Sequence, residues 1–227
     1  MLAANILRRL MFPLMGLTRP AADPHLPSKD ISAGLLANLT LFSEYAAAST
    51  CAANFNSHTL SKVVCDPGVC PTLEQTDTNV MVGFMGYQIV FTGHSFGGAL
   101  ATLGAALEGG NPSRPIDLYT FGCPQLGNHD FAEFVTAVTA GSGYRVTHSD
   151  DPVPRVFSTQ PWINKTWQYS TTSPEFWITT GNGVPVTASD IQVIEGIDNK
   201  SGNLGTTGSD TSAHIWYIGN MSGCSTN

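Results

Sequence analysis

The sequence predicts an α/β domain, a sheet with helices packed against it. Three observations predict it. Residues 87–92 (YQIVFT) are apolar and β-branched, and they run into Gly93-His94-Ser95-Phe96-Gly97 and then into small residues and leucines over 98–107. That pattern is a buried strand turning sharply into a helix packed close on a sheet. Beyond it, strand-type and helix-type segments alternate. The chain has 227 residues, 42% apolar and 12% charged, which suits one large domain and is short for two.

Residues 1–30 read as a leader or loop. Arg8-Arg9 precedes a brief apolar run over 10–17 and then Ala21-Ala22, but Pro13 and Arg19 interrupt it, so it makes a poor signal peptide. The domain is expected over 31–227. From Ser32 to about Asn54 the apolar positions Leu35, Leu36, Leu39, Phe42, Tyr45 and Ala46 recur every three or four residues. That spacing predicts one amphipathic packing helix. Residues 80–84 and 87–91 read as strands joined only by Met85 and Gly86. Parallel strands need a crossover of about a dozen residues, so these two form a hairpin or one irregular run. Residues 111–115 are a loop, 116–121 a strand, 131–138 a helix and 144–148 a strand that breaks at Asp150-Asp151-Pro152. Shorter strands follow at 177–179 and 192–194. No internal repeat or low-complexity tract is present.

Seventeen acidic against ten basic residues give a net charge of -7. With no basic stripe, nucleic acid and anionic membranes are poor partners. No segment is long and apolar enough to span a bilayer. The five cysteines contain no C-x-x-C pair, so a zinc or redox motif is not expected, and no cofactor is expected either. Cys65 and Cys70 are close enough to close a small loop. A Cys51–Cys224 pair would tie the first helix to the end of the chain. Cys123, in an apolar setting, is then a buried free thiol. Sequons stand at Asn38, Asn164, Asn199 and Asn220. Together with paired cysteines they favour an extracellular setting.

Gly93–Gly97 has the form G-x-S-x-G, the strand-to-helix nucleophile elbow. Glycines on either side allow the tight turn, and the helix N-terminus aims free N–H groups at charge developing beside Ser95. A serine hydroxyl needs a base, and the base needs a carboxylate that fixes its tautomer. Behind such an elbow the acid and then the histidine follow in the chain. Asp150 and Asp151 end a strand. Of six histidines, His25 and His58 precede the elbow, His94 points away from Ser95, His129 opens a helix, and His148 reads as structural. Order selects His214.

These segments resemble the secreted fungal triacylglycerol lipases, the class 3 lipases of the α/β-hydrolase fold. The resemblance is carried by residues 93–101, by 119–128 (YTFGCPQLGN), by 145–155 (RVTHSDDPVPR), by 213–217 (AHIWY), and by Tyr45-Ala46-Ala47-Ala48 before Cys51 and the Cys65/Cys70 spacing. It implies a serine ester hydrolase with an acyl-enzyme intermediate, acting in lipid breakdown on acylglycerols at an oil–water interface. It assigns Ser95 as nucleophile, Asp151 as acid, His214 as base and the Phe96 N–H as an oxyanion donor. Feruloyl esterases share the elbow, but residues 173–178, 184–187 and 194–198 look more like the lipase branch.

The chain departs from that pattern in one place. The family carries an F-R-G-[ST] strand end that supplies the second oxyanion donor, then a lid helix, a strand and a long helix, all between the Cys65–Cys70 loop and the elbow. Here that interval is too short to hold them, so the sheet is expected to be truncated. A catalytically impaired relative is the alternative, one that meets lipid surfaces through exposed Trp162, Trp167, Phe176 or Trp177, although Trp177 reads better as a core or rim residue.

Overall fold

The computed structural model describes residues 31–55, 61–76, 89–109 and 115–224. The expected leader, the strand at 80–84, His25 and His58 lie outside those residues. In chain order the elements are α1 (Ala33–Ala48), α2 (Ala52–Phe55), α3 (Pro71–Glu74), β1 (Ile89–His94), α4 (Phe96–Glu108), β2 (Ile116–Phe121), α5 (His129–Val138), β3 (Gly143–His148), α6 (Pro161–Trp167), β4 (Glu175–Ile178) and β5 (Ile191–Ile194). The sheet order is β1-β2-β3-β4-β5, with the first four strands parallel and β5 antiparallel to β4.

Period-two alternation along β2 divides the core between the two faces of the sheet. Tyr119 and Phe121 join Leu39 and Ala46 of α1, with Val146, Phe176, Ile178 and Tyr217. Ile116 and Leu118 join Ala101 and Ala105 of α4 and Val135 of α5. The Cys51–Cys224 and Cys65–Cys70 disulfides are formed. Cys123 is free and buried.

Four expectations are corrected. The single helix over 32–54 is two. Ser32 caps its start by accepting from the Leu35 N–H at 3.1 Å. At its end the Ser49 and Thr50 hydroxyls take the carbonyls of Ala46 and Ala47, and Cys51 turns away into its disulfide. Glu44 of α1 is also buried, because both its oxygens accept the N–H groups of Thr72 and Leu73 that open α3.

The strand placed at 87–92 is described from Ile89 and runs to His94. It is half-exposed rather than buried, because among the described residues β1 pairs only with β2. In α4 the small residues face the sheet while Leu100, Leu103 and Leu107 are exposed. Phe176, offered as lipid-facing, is buried in the core; Trp177 is half-buried, in keeping with a rim residue, and Trp162 and Trp167 are exposed.

Candidate active site

Ser95 stands between β1 and α4 with φ +54°, a conformation L-residues rarely hold without support. Its N–H bonds the Phe121 carbonyl oxygen at 2.9 Å, anchoring the elbow to β2. A Cβ on Gly93 would stand 2.3 Å from the Gly97 oxygen, and one on Gly98 would stand 3.0 Å from the Cys123 Cβ. The two tight glycines are therefore Gly93 and Gly98. Gly97, expected to be one of them, faces open space.

The chain brings Ser95, His214 and Asp151 together from three distant segments. His214 Nε2 lies 2.8 Å from Ser95 Oγ, and His214 Nδ1 lies 2.8 Å from Asp151 Oδ2. Asp151 is fully buried at the turn after β3. Its Oδ1 accepts from the Val153 N–H at 2.9 Å, and its Oδ2 accepts from the Tyr217 hydroxyl at 2.6 Å. The contact of Asp151 Oδ2 with His214 Nδ1 orients the ring with its proton on Nδ1, leaving Nε2 to face Ser95. Asp150 is half-exposed and makes neither contact.

His214 sits in a 3-10 turn, Thr211–Ile215, that Asp210 caps by accepting from the Ser212 N–H. Two further histidines hold this turn. His94 Nε2 is 2.7 Å from the His214 carbonyl oxygen. Burial, and then His214 itself, push the His94 pKa down to about 4, so the ring is neutral and donates through Nε2. His148 is buried, with Nδ1 3.2 Å from the Ala213 carbonyl oxygen and Nε2 2.8 Å from that of Thr180.

Below the site, Arg145 and Glu175 pair at 3.4 Å, and Thr147 and Asn203 donate to Glu175 Oε1. Asn203 Nδ2 also donates to the carbonyls of Ser149 and Asp151, clamping the acid loop. Burial raises the Cys123 thiol to about 11, so it is no competing nucleophile. The sequence reading missed Tyr217 and Asn203. Tyr217 stands three residues after His214 in the same motif, a signal that could have found it.

Among the sequons, Asn38 lies exposed in α1 and Asn220 exposed near the end of the chain. Asn199 Nδ2 donates to the Glu195 carbonyl, and Asn164 lies in α6. Among the described residues no helix is long and apolar enough to cross a membrane.

The family model for class 3 lipases matches residues 31–160. The chain belongs to the class 3 lipase family. A secreted mono- and diacylglycerol lipase from Fusarium solani is 47% identical over 142 residues, 61% of this chain and 39% of that one. Its counterpart from Penicillium camembertii is 40% identical over 135 residues, 58% of this chain and 42% of the relative. This class 3 lipase chain thus spans about two fifths of the curated relatives it matches. A fungal lipase crystal structure superposes with TM-score 0.74 at 26% identity, covering 85% of this chain and 99% of that one. The likeness gives the sheet and its helices the α/β-hydrolase-like fold.

Proposed function

We propose that this chain is a secreted carboxylic ester hydrolase that cleaves acylglycerols in lipid breakdown. The observation that carries the reading is the unbroken path from Ser95 Oγ through His214 to Asp151, both links at 2.8 Å. Ser95 attacks the acyl carbonyl while His214 Nε2 takes its proton. Asp151 holds the imidazole and stabilises the imidazolium. Phe96 is the first residue of α4, where a backbone N–H has no helical acceptor, and it donates to the oxyanion. His214 then protonates the leaving alcohol, and water repeats the sequence on the acyl-enzyme. Two disulfides and the secreted relatives support an extracellular, glycosylated protein working at an oil–water interface.

A second reading, an impaired hydrolase, is favoured by the unpaired outer edge that β1 has among the described residues. A missing oxyanion donor costs about a hundred- to a thousand-fold in rate. Turnover of p-nitrophenyl butyrate with fluorophosphonate labelling separates the two. Slow hydrolysis and labelling, both lost in Ser95→Ala, are expected. Turnover that survives Ser95→Ala would overturn the assignment, and neither turnover nor labelling would favour the inert protein.

A further inference from the structure

We propose that His148 is held as a doubly protonated imidazolium and is a positioning residue for His214, a role that rests on the hydrolase reading. The ring is fully buried at the end of β3. Its Nδ1 lies 3.2 Å from the Ala213 carbonyl oxygen, and its Nε2 lies 2.8 Å from the Thr180 carbonyl oxygen. A carbonyl oxygen only accepts, and a neutral imidazole has one N–H and one lone pair. Two carbonyls therefore call for two N–H groups, which only the imidazolium has. Turning the ring over offers no escape, because it sets ring carbons against both oxygens. His94 gives the contrast. One carbonyl, that of His214, faces its Nε2 at 2.7 Å, and a neutral ring supplies the single N–H that this bond takes.

Together the two rings bracket the base. His148 holds the peptide before His214, at the Ala213 carbonyl, and His94 holds the peptide after it, at the His214 carbonyl. The His214 backbone is thus fixed on both sides while its ring faces Ser95 and Asp151. The other His148 bond anchors this support on the segment after β4, where the Thr179 N–H bonds the Asp190 carbonyl oxygen at 3.0 Å. Of the two contacts, the longer is the one to the turn. A neutral ring would keep its N–H on Thr180 and point a lone pair at the Ala213 carbonyl, loosening the turn that carries the base.

A buried cation needs compensation. Hydrogen bonds from a charged donor are about twice as strong as neutral ones, and each of the three segments that meet at the ring bears a carboxylate. On its own loop the buried Asp151 donates its N–H to the His148 carbonyl oxygen at 3.0 Å. Asp210 caps the turn that carries Ala213 and accepts from Asn182 at 2.8 Å. Asp190 stands before β5, beside Thr179. The remaining titratable groups on these elements are Tyr217, with its ring 5.8 Å away between centroids and its hydroxyl on Asp151, the His94–His214 pair, and Asp150 with Arg155, whose guanidinium donates to the Asp150 carbonyl.

Nitrogen-15 NMR of the full chain with labelled histidine tests the charge. At neutral pH both ring nitrogens of His148 should show the shift and one-bond proton coupling of N–H groups, and one bare nitrogen would overturn the proposal. Kinetics test the position. The amide nitrogen of Asn hangs from Cγ as Nδ1 does, and that of Gln stands one atom further out, as Nε2 does. His148→Asn therefore keeps the bond to Ala213, while His148→Gln keeps the bond to Thr180. On p-nitrophenyl butyrate, His148→Gln should lower kcat about a hundred-fold at unchanged KM, and His148→Asn should lower it much less, whatever their urea midpoints. Equal losses, or the larger loss in His148→Asn, would overturn the positioning role. A native chain with no turnover sinks the hydrolase reading alone. The downfield proton of the His214–Asp151 hydrogen bond then replaces kcat, and it should survive in His148→Asn and vanish in His148→Gln. If neither variant folds, the nitrogen spectrum of the unmodified chain decides.

Discussion

Tyr217 and Asp151 are joined through the same carboxylate oxygen that faces the His214 ring. The buried hydroxyl donates to Oδ2 at 2.6 Å while His214 Nδ1 sits 2.8 Å away. Burial, and then the Asp151 charge, push the Tyr217 hydroxyl well above its ordinary range, which keeps it protonated as a donor to Asp151. A hydrogen bond to a charged group contributes about 1.5–3 kcal/mol. Tyr217→Phe is expected to lower the urea midpoint and to slow p-nitrophenyl butyrate hydrolysis about ten-fold, the equivalent of roughly 1.4 kcal/mol. Unchanged kcat in the folded variant would show that the hydroxyl is structural only.

The two adjacent aspartates are predicted to behave differently. Asp151 is fully buried and meets three donors, whereas Asp150 is half-exposed and its carboxylate accepts from the Ser149 hydroxyl, away from His214. Asp151→Asn turns an amide toward His214 and selects the wrong tautomer, which costs on the order of 10⁴ in kcat. Asp150→Asn should leave kcat within about three-fold, since an exposed substitution away from the reacting atoms changes little. Steady-state kinetics on both variants checks the order, and a reversed order would move the acid to Asp150.

Much of this was legible locally. The bounds of β2 and the position of the helix at 131–138 follow from apolar periodicity and from Asn128, whose side chain accepts the Phe131 N–H. The elbow followed from sequence because strand, serine and helix are contiguous. What was not legible depends on distant partners. Nothing in 98–107 says that Leu100, Leu103 and Leu107 are exposed, since periodicity gives a face and not its occupant. The buried Glu44 reads as a solvent position until α3 supplies its N–H donors. Asn203 reaches the acid loop across fifty-two residues, a bond no local pattern encodes.

Gly122 carries a steric prediction. It follows β2 with φ +60°, and a Cβ there would stand 2.6 Å from the Tyr217 hydroxyl and 3.0 Å from the His214 ring. Gly122→Ala must displace both groups. Backbone strain costs about 1–3 kcal/mol, while displacing a catalytic group by about 1 Å costs on the order of 10² in rate. The expected outcome is a folded variant with a modestly lowered melting temperature and kcat reduced about a hundred-fold. Activity close to native with a lowered melting temperature would show that the His214 turn yields without losing register.

His94 carries the pH prediction. Its ring faces His214 at 4.5 Å and Tyr217 at 5.9 Å between centroids, with Asp151 nearby. Burial and the neighbouring His214 depress its pKa from 6.5 to about 4, against the opposing pull of its bond to the His214 carbonyl and of the Asp151 charge. A histidine whose folded pKa is lowered binds more protons unfolded than folded between the two values. Its contribution is therefore complete above pH 6.5 and is lost as pH falls from 6.5 toward 4, on the order of 3 kcal/mol in all. His94→Gln keeps an N–H donor for the His214 carbonyl and removes the titration. Urea unfolding at pH 7, 6, 5 and 4 should show the native free energy falling through this window and a flatter dependence in the variant. Equal slopes for the two proteins would place the acid sensitivity elsewhere.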